Sequence, residues 1–272
     1  MMGMHTFIIV TPRDDSPGVR SLLHAASKHN SNTRVLLLGD EEAVDTLRSA
    51  EMVVYRFGPK SYSSCKKLAK QLEGTTQGSS LTNNLQAFDK CISYQKLADS
   101  KIPMPNSVVV TSSTQKGIVP VVIKPPIGNQ GGGVQLVKTA LDFEREKTKY
   151  LNMYGQFLAQ EYIQESQGSD KRLVVANGVV VASMKRTAAS NDFRANLHQG
   201  GSAVSYEPTN RERGLAIQAC EALGIELAGV DIIDSRRGPL VLEVNPSPGF
   251  GISDVVGYDV AQAVIEALLK RK

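Results

Sequence analysis

Asp231, Glu243 and Asn245 put three hard oxygen donors into one short segment, Gly229 to Gly249. Asp231 belongs to one apolar run, and Glu243 and Asn245 belong to the next. The polar residues Asp234 to Gly238 between them read as a hairpin turn. Side chains alternate faces along a strand, so Leu240, Leu242 and Val244 are expected on one face and Val241, Glu243 and Asn245 on the other. Folding back through the turn brings Asp231 onto the Glu243 face, roughly 5 to 8 Å away. Like charges set among apolar strands are costly unless a cation lies between them. Mg²⁺ takes one or two protein carboxylates, with phosphate oxygens completing its octahedron. The pattern therefore predicts a Mg²⁺–nucleotide site; the plain alternative is a solvated hairpin with incidental acids.

A second group of residues suits the phosphates of such a nucleotide. Val119 to Lys124 reads as a strand ending in lysine, followed by glycines at 128, 131, 132 and 133 and a strand from Val134 to Val137. Glycine allows close backbone approach and positive φ, so amide N–H groups can point at phosphate. The lysine precedes the loop and strands flank it, which excludes the Walker arrangement. We read a glycine-rich flap between antiparallel strands, with Lys124 neutralising phosphate oxygens; a merely mobile hairpin is the alternative. Lys90 falls in the first turn of a helix expected from about Phe88 to Ser100, where a cation opposes the helix dipole and hints at a phosphate partner. The long polar loop Arg186 to Gly201 holds Asn191, Arg194, Asn196, His198 and Gln199. Its Arg186 and Arg194 could stabilise charge on a transferring phosphoryl group; ordinary surface polarity is the competing reading.

These residues need a scaffold. Thr6 to Val10, Val35 to Leu38 and Met52 to Tyr55 read as strands. They alternate with helices expected from about Val19 to Ala26, Glu41 to Ser49 and Ser61 to Gln71, which implies a small parallel sheet covered on both sides. Arg56 lies just past the third strand, where such sheets bind ligands; it reads either as a contact to an acidic substrate or as a surface arginine. Gly74 to Ser80 is a polar stretch that suggests a boundary. Strands are then expected at Ser107 to Val110, Phe157 to Gln160, Leu173 to Ala176 and Val179 to Met184, the last two joined by the Asn177-Gly178 hairpin signal. Helices are expected over Leu141 to Tyr154, Arg211 to Leu223 and Asp254 to Leu269. The chain thus divides into an N-terminal α/β domain, 1–80, and a larger domain, 81–272. The latter comprises a flap-bearing lobe, 81–160, and a metal-binding lobe, 161–272.

The whole composition agrees. The chain has 272 residues, 41% of them hydrophobic and 21% charged, which suits a globular enzyme with a sizeable core. A net charge of +4 suits small anionic substrates and gives no basic, aromatic-interleaved stripe for nucleic acid. No apolar window of membrane length and no signal-peptide order occurs. Cys65, Cys91 and Cys220 are odd in number and widely spaced, which fits a reducing cytoplasm and no zinc pattern.

Taken in order, Asp89-Lys90, Ile123-Lys124, Gln130 to Gly133, Gln160 to Ile163, Asp170, Asp192 to His198, Gly229 to Asp231 and Leu242 to Asn245 resemble an ATP-grasp ligase. The set is most similar to the RimK-type branch, which adds glutamate to a ribosomal protein's C-terminus. The resemblance implies an ATP-grasp fold, α/β with α+β lobes, behind an N-terminal parallel α/β pre-ATP-grasp domain. It implies that Lys90 and Lys124 hold ATP phosphates and that Gly131, Gly132 and Gly133 form the closing flap. Gln160 would belong to the cofactor site, Glu161 and the backbone of Tyr162 and Ile163 would read the adenine, and Asp170 the ribose. Arg194, Ala195 and Asn196 would line the phosphate end, and Asp231, Glu243 and Asn245 would bind two Mg²⁺ ions, with Mn²⁺ as a substitute. One position departs: Gln199 stands where the ribosomal-protein ligase has an arginine before the Gly-Gly pair.

The implied reaction activates a carboxylate as an acyl phosphate and passes it to an amine. No protein nucleophile is needed, in keeping with the lack of a Gly-x-Ser-x-Gly motif. The implied partners are an amino acid, glutamate foremost, and an acidic peptide, protein or cofactor acceptor; a homo-oligomer is allowed. Two other readings stay open: a free-standing small-molecule peptide ligase, and an ATP-binding regulator without turnover.

Overall fold

A computed structural model of the chain describes residues 6–29, 32–40, 42–114, 119–129, 131–189 and 200–270. The chain opens with β1 (Thr6–Thr11), α1 (Pro17–Ser27), β2 (Asn32–Leu37), α2 (Ala43–Arg48) and β3 (Met52–Tyr55). These strands form the expected parallel sheet, in the order β2-β1-β3. Phe7, Ile9 and Leu22 of this unit share one apolar core with Val174, Phe250 and Val264 from the far end of the chain. Each such fully buried side chain stabilises the packing by about 1.5–3 kcal/mol.

Three helices follow: α3 (Tyr62–Gln71), α4 (Thr76–Phe88) and α5 (Lys90–Asp99). The polar stretch read as a boundary is therefore largely helical. Thr75 caps α4 by accepting from the Gly78 N–H at 3.0 Å, and Leu81, Leu85 and Phe88 supply its buried stripe. The cap and three apolar positions outweigh a run of Gly, Ser, Thr and Asn that is unfavourable in itself.

Next come β4 (Ser107–Val110), β5 (Val121–Lys124), β6 (Gln135–Val137), α6 (Ala140–Tyr154) and β7 (Phe157–Glu161). The strands pair antiparallel in the order β4-β7-β5-β6, so β5 and β6 flank the glycine loop as expected. The last sheet, β10-β9-β8-β11-β12, contains β8 (Ser169–Ala176), β9 (Val179–Thr187), β10 (Ser202–Ser205), β11 (Leu227–Ser235) and β12 (Gly238–Asn245). Asn177 and Gly178 turn β8 into β9 with φ of 47° and 73°, a left-handed pair that this dipeptide tolerates well. Helix α7 (Asn210–Leu223) covers one face, its start fixed by a capping box between Thr209 and Glu212. The expected closing helix is two: α8 (Ser253–Val256) and α9 (Val260–Leu269), separated where Gly257 takes φ of 80°. Among the described residues, no helix is long and apolar enough to cross a membrane.

Candidate active site

Residues from both antiparallel sheets, with Gly18 of α1 and Arg56 just beyond β3, line one cavity of about 600 Å³. The antiparallel register of β11 and β12 sets Asp231 directly opposite Glu243. It also contains a bulge: Ile232 pairs with Val241, which leaves Leu242 as the extra residue. The bulge breaks the simple alternation expected for β12. Val241 packs with Val244 and Ile232 in the core beside α7. Leu242 instead joins Ile163, Ile233 and Leu240 in a small apolar cluster. Leu242, Ile163 and Ile233 give the cavity an apolar wall beside its acids.

Lys124 is the last residue of β5 and is buried; its Nζ donates to Gln160 Oε1 at 2.6 Å. Burial lowers its pKa to about 8, with Glu243 pushing the other way. Lys90 is the first residue of α5, behind the cap made by Asp89, whose carboxylate accepts from the Cys91 and Ile92 N–H groups. Its Nζ donates to Gly128 O at 2.9 Å and lies 3.5 Å from Glu243 Oε1. Lys90 thus ties the glycine loop to the open carboxylate. In that loop Gly131 and Gly133 have φ of 73° and 70°, which disfavours any side chain there. Tyr150 OH donates to Gly133 O and fastens the flap to α6.

The other acids belong to a separate, buried network. Asp170 and Arg186 are register partners on β8 and β9, and Arg186 Nε and Nη2 each donate to Asp170 at 2.7 Å. Arg172 is the β8 partner of Asp231 and grips it through Nε at 2.7 Å and Nη2 at 2.8 Å. Arg186 Nη2 also lies 2.9 Å from Asp231 Oδ2. Burial opposes the charge on Asp231, yet Arg172 and Arg186 hold its carboxyl below the usual carboxylate range. Burial, and then the charge on Asp231, push Asp170 up. Burial works against the Arg186 cation as well, but Asp231 and Asp170 outweigh it and keep it firmly protonated.

Every expected site residue among those described lines the cavity except Gly133. Four of them already have partners within the protein. Asp231, read as an open metal ligand, already has both oxygens on guanidinium groups, because β8 delivers Arg172 to it. Asp170, read as a ribose contact, is held in the fork of Arg186. Glu161 turns its carboxylate to the Asn106 N–H at 3.0 Å and to Arg237 Nη2. Of the Tyr162 backbone, expected to face adenine, the N–H donates to Pro120 O at 3.4 Å. Gln130, Asn191, Asp192, Arg194, Ala195, Asn196, His198 and Gln199 lie outside the described residues. The surface alternative for Arg56 fails: its side chain faces the cavity, with Nη1 donating to Pro248 O at 2.7 Å. Arg172 was missed; its signal is its place opposite Asp231, which depends on pairing across more than fifty residues.

The donor set suits a hard divalent cation in part. Among the described residues no cluster of three or more His, Cys, Asp or Glu side chains is assembled for a metal. Mg²⁺ does not need one, since phosphate oxygens and water complete its shell. Glu243 faces the cavity, with Asn245 beside it, its Oδ1 accepting from the Ser247 N–H at 2.9 Å. Asp231 fits only after exchanging a guanidinium for the ion.

Solved structures with this arrangement define an ATP-grasp fold. A D-cycloserine synthetase superposes with TM-score 0.71 at 19% identity, covering 97% of this chain and 99% of that one. A RimK domain ATP-grasp protein from Sphaerobacter thermophilus gives TM-score 0.69 at 20% identity, with 97% and 99% covered. The RimK-like ATP-grasp domain model matches residues 87–268, and the chain belongs to that family. A probable alpha-L-glutamate ligase from Xanthomonas euvesicatoria pv. vesicatoria is 39% identical over 228 residues, 80% of this chain and 77% of the relative. Another, from Shewanella halifaxensis, is 41% identical over 191 residues, 67% of this chain. The match spans only 42% of the Shewanella protein and 65% of a relative from Xanthomonas oryzae pv. oryzae.

Proposed function

We propose that the protein is an ATP- and Mg²⁺-dependent carboxylate–amine ligase. It joins an α-amino acid, glutamate foremost, to the carboxylate of a peptide, a protein C-terminus or a cofactor. The observation that carries this reading is the meeting of Lys90, Lys124 and Glu243 in one cavity beneath a glycine flap. Family membership and the names of the relatives support it.

In this reading Lys124 and Lys90 hold the ATP phosphates, and Gly131 to Gly133 close over them and keep water out. Leu242, Ile233 and Ile163 offer the apolar wall against which a purine packs. Glu243, Asn245 and, once a guanidinium yields, Asp231 would hold two Mg²⁺ ions, which supply positive charge against the phosphate oxygens. A carboxylate oxygen of the acid substrate attacks the γ-phosphorus; the bond from phosphorus to the β,γ-bridging oxygen breaks, giving an acyl phosphate and ADP. Arg186, with Arg194 assigned by resemblance, steadies the charge on the group in flight. The amine then attacks the acyl carbon, inorganic phosphate leaves, and the amine gives its proton to solvent.

The test is incubation with ATP, Mg²⁺, L-glutamate and a panel of acidic peptides and small acids, followed by mass spectrometry. Adducts heavier by glutamyl residues, formed in step with ADP, are expected. ATP left intact across the panel, or hydrolysed with no adduct, would remove the ligase reading.

A further inference from the structure

Three described arginines line the cavity, and they are not alike. Arg172 and Arg186 are neutralised by Asp231 and Asp170. Arg56 has no carboxylate partner among the described residues. Its Nη1 donates to Pro248 O at 2.7 Å, and its guanidinium carbon lies 5.2 Å from the centre of the Phe250 ring. A guanidinium offers five N–H donors in a planar fork. One carbonyl and one aromatic face satisfy only part of it.

Among the described residues the surroundings add no negative charge. Arg56 N donates to Val10 O at 2.8 Å, which pins the residue just beyond the carboxyl ends of β1 and β3. The first turn of α1 packs against its head: a Cβ on Gly18 would come within 2.6 Å of Arg56 Nη2. A helix N-terminus carries partial positive charge, so it repels a cation placed there. Burial lowers the Arg56 pKa to about 10, and no acid among the described residues restores it. An enclosed cation left unpaired is costly. The cations suited to phosphate lie elsewhere, around Glu243, and Arg56 is electrostatically separate from them. Yet it is tied to the same chemistry, because Pro248 lies three residues beyond Asn245 on the loop leaving β12.

We propose that Arg56, aimed by Gly18 and Pro248, is the hook for a substrate carboxylate, held bidentately by the guanidinium fork. It takes the carboxylate that is not activated, belonging either to the incoming amino acid or to the acidic acceptor. The ligand's identity rests on the ligase reading. The existence of the hook rests on the unpaired guanidinium in the cavity wall.

The experiment is calorimetric titration of the full chain, preloaded with Mg²⁺–ADP, with L-glutamate and separately with a glutamate-terminated peptide. Arg56→Met is expected to weaken one of the two ligands by about ten- to a hundredfold while ADP affinity stays within about twofold. Arg56→Lys keeps the charge without the fork and recovers only part of the loss. Gly18→Ala pushes a methyl group at the guanidinium and weakens the same ligand by a smaller factor. A loss confined to glutamate assigns the hook to the amino acid; a loss confined to the peptide assigns it to the acceptor. Unchanged affinity for both in Arg56→Met, no binding of either by the wild type, or a loss for ADP alone overturns the proposal. If Arg56→Met does not fold, Arg56→Lys and Gly18→Ala decide it by the same criteria. Arg56-dependent carboxylate binding without ligation would sink the ligase reading and keep the hook; ligation with Arg56-independent binding would do the reverse.

Discussion

Asp231 and Glu243 face each other across one strand pair, and their surroundings are opposite. β11 is an inner strand, so β8 supplies Arg172 to Asp231 and β9 adds Arg186. β12 is the edge of its sheet, so Glu243 has the cavity on its free side and a single cation, Lys90, within 4 Å among the described residues. The Asp231 side chain is 8% exposed and that of Glu243 is 37% exposed. Register decides which residues meet; the neighbouring strand decides whether a carboxylate is paired or left open. One end of the cavity is therefore a neutralised, buried frame, and the other is an open patch whose charges await a partner.

That contrast can be broken most easily at Asp231. Asp231→Ala takes the carboxylate from the half-buried Arg172 and one of the two acids from the buried Arg186, and should destabilise the protein by about 3–5 kcal/mol. Urea midpoints will measure it. Glu243→Ala should cost less than about 1 kcal/mol by the same measurement. If the two variants lose equal stability, the distinction between frame and open patch is wrong. On the proposed ligase reading, Glu243→Ala should cut ADP release by about a hundredfold or more, since charge at the phosphates is worth several kcal/mol.

Lys124 sharpens the comparison from the cationic side. With its pKa lowered to about 8 by burial, it begins to lose its proton at mildly alkaline pH when no nucleotide is bound. ADP affinity should fall as pH rises through about 8, and calorimetry across that range reads it. Folding stability should move the other way: between about 8 and 10.5 the unfolded chain binds the proton that folded Lys124 has released, so stability rises with pH. Lys124→Met should weaken ADP by about ten- to a hundredfold and flatten both dependences. The smallest effect is expected at Arg237, whose partly exposed pair with Glu161 links β7 to the β11–β12 turn. Arg237→Ala should change the unfolding free energy by less than about 1 kcal/mol in urea titrations.

The sequence made the open patch easier to read than the frame. Alternation along two short strands was enough to set Asp231 against Glu243, and the spacing of Lys124 and the glycines was enough for a glycine loop between antiparallel strands. The bulge at Leu242 left no mark in composition, and it reversed the faces of Leu242 and Val241. Arg172 and the grip on Asp231 were hidden because they arise from β8 pairing with β11, a contact that no local pattern encodes. Helix α4 was obscured by its polar residues, although Leu81, Leu85 and Phe88 held the helical spacing throughout. Arg56 was visible as a position, but its contacts with Gly18 and Pro248 come from distant segments that no local pattern brings together.

Titration of ADP into the wild type and into Glu243→Ala, each with and without Mg²⁺ at neutral pH, reads whether Glu243 holds the metal at the nucleotide. The account predicts that Mg²⁺ tightens ADP binding in the wild type and has no such effect in Glu243→Ala. An equal Mg²⁺ effect in both proteins, or a wild type that does not bind ADP, would contradict it.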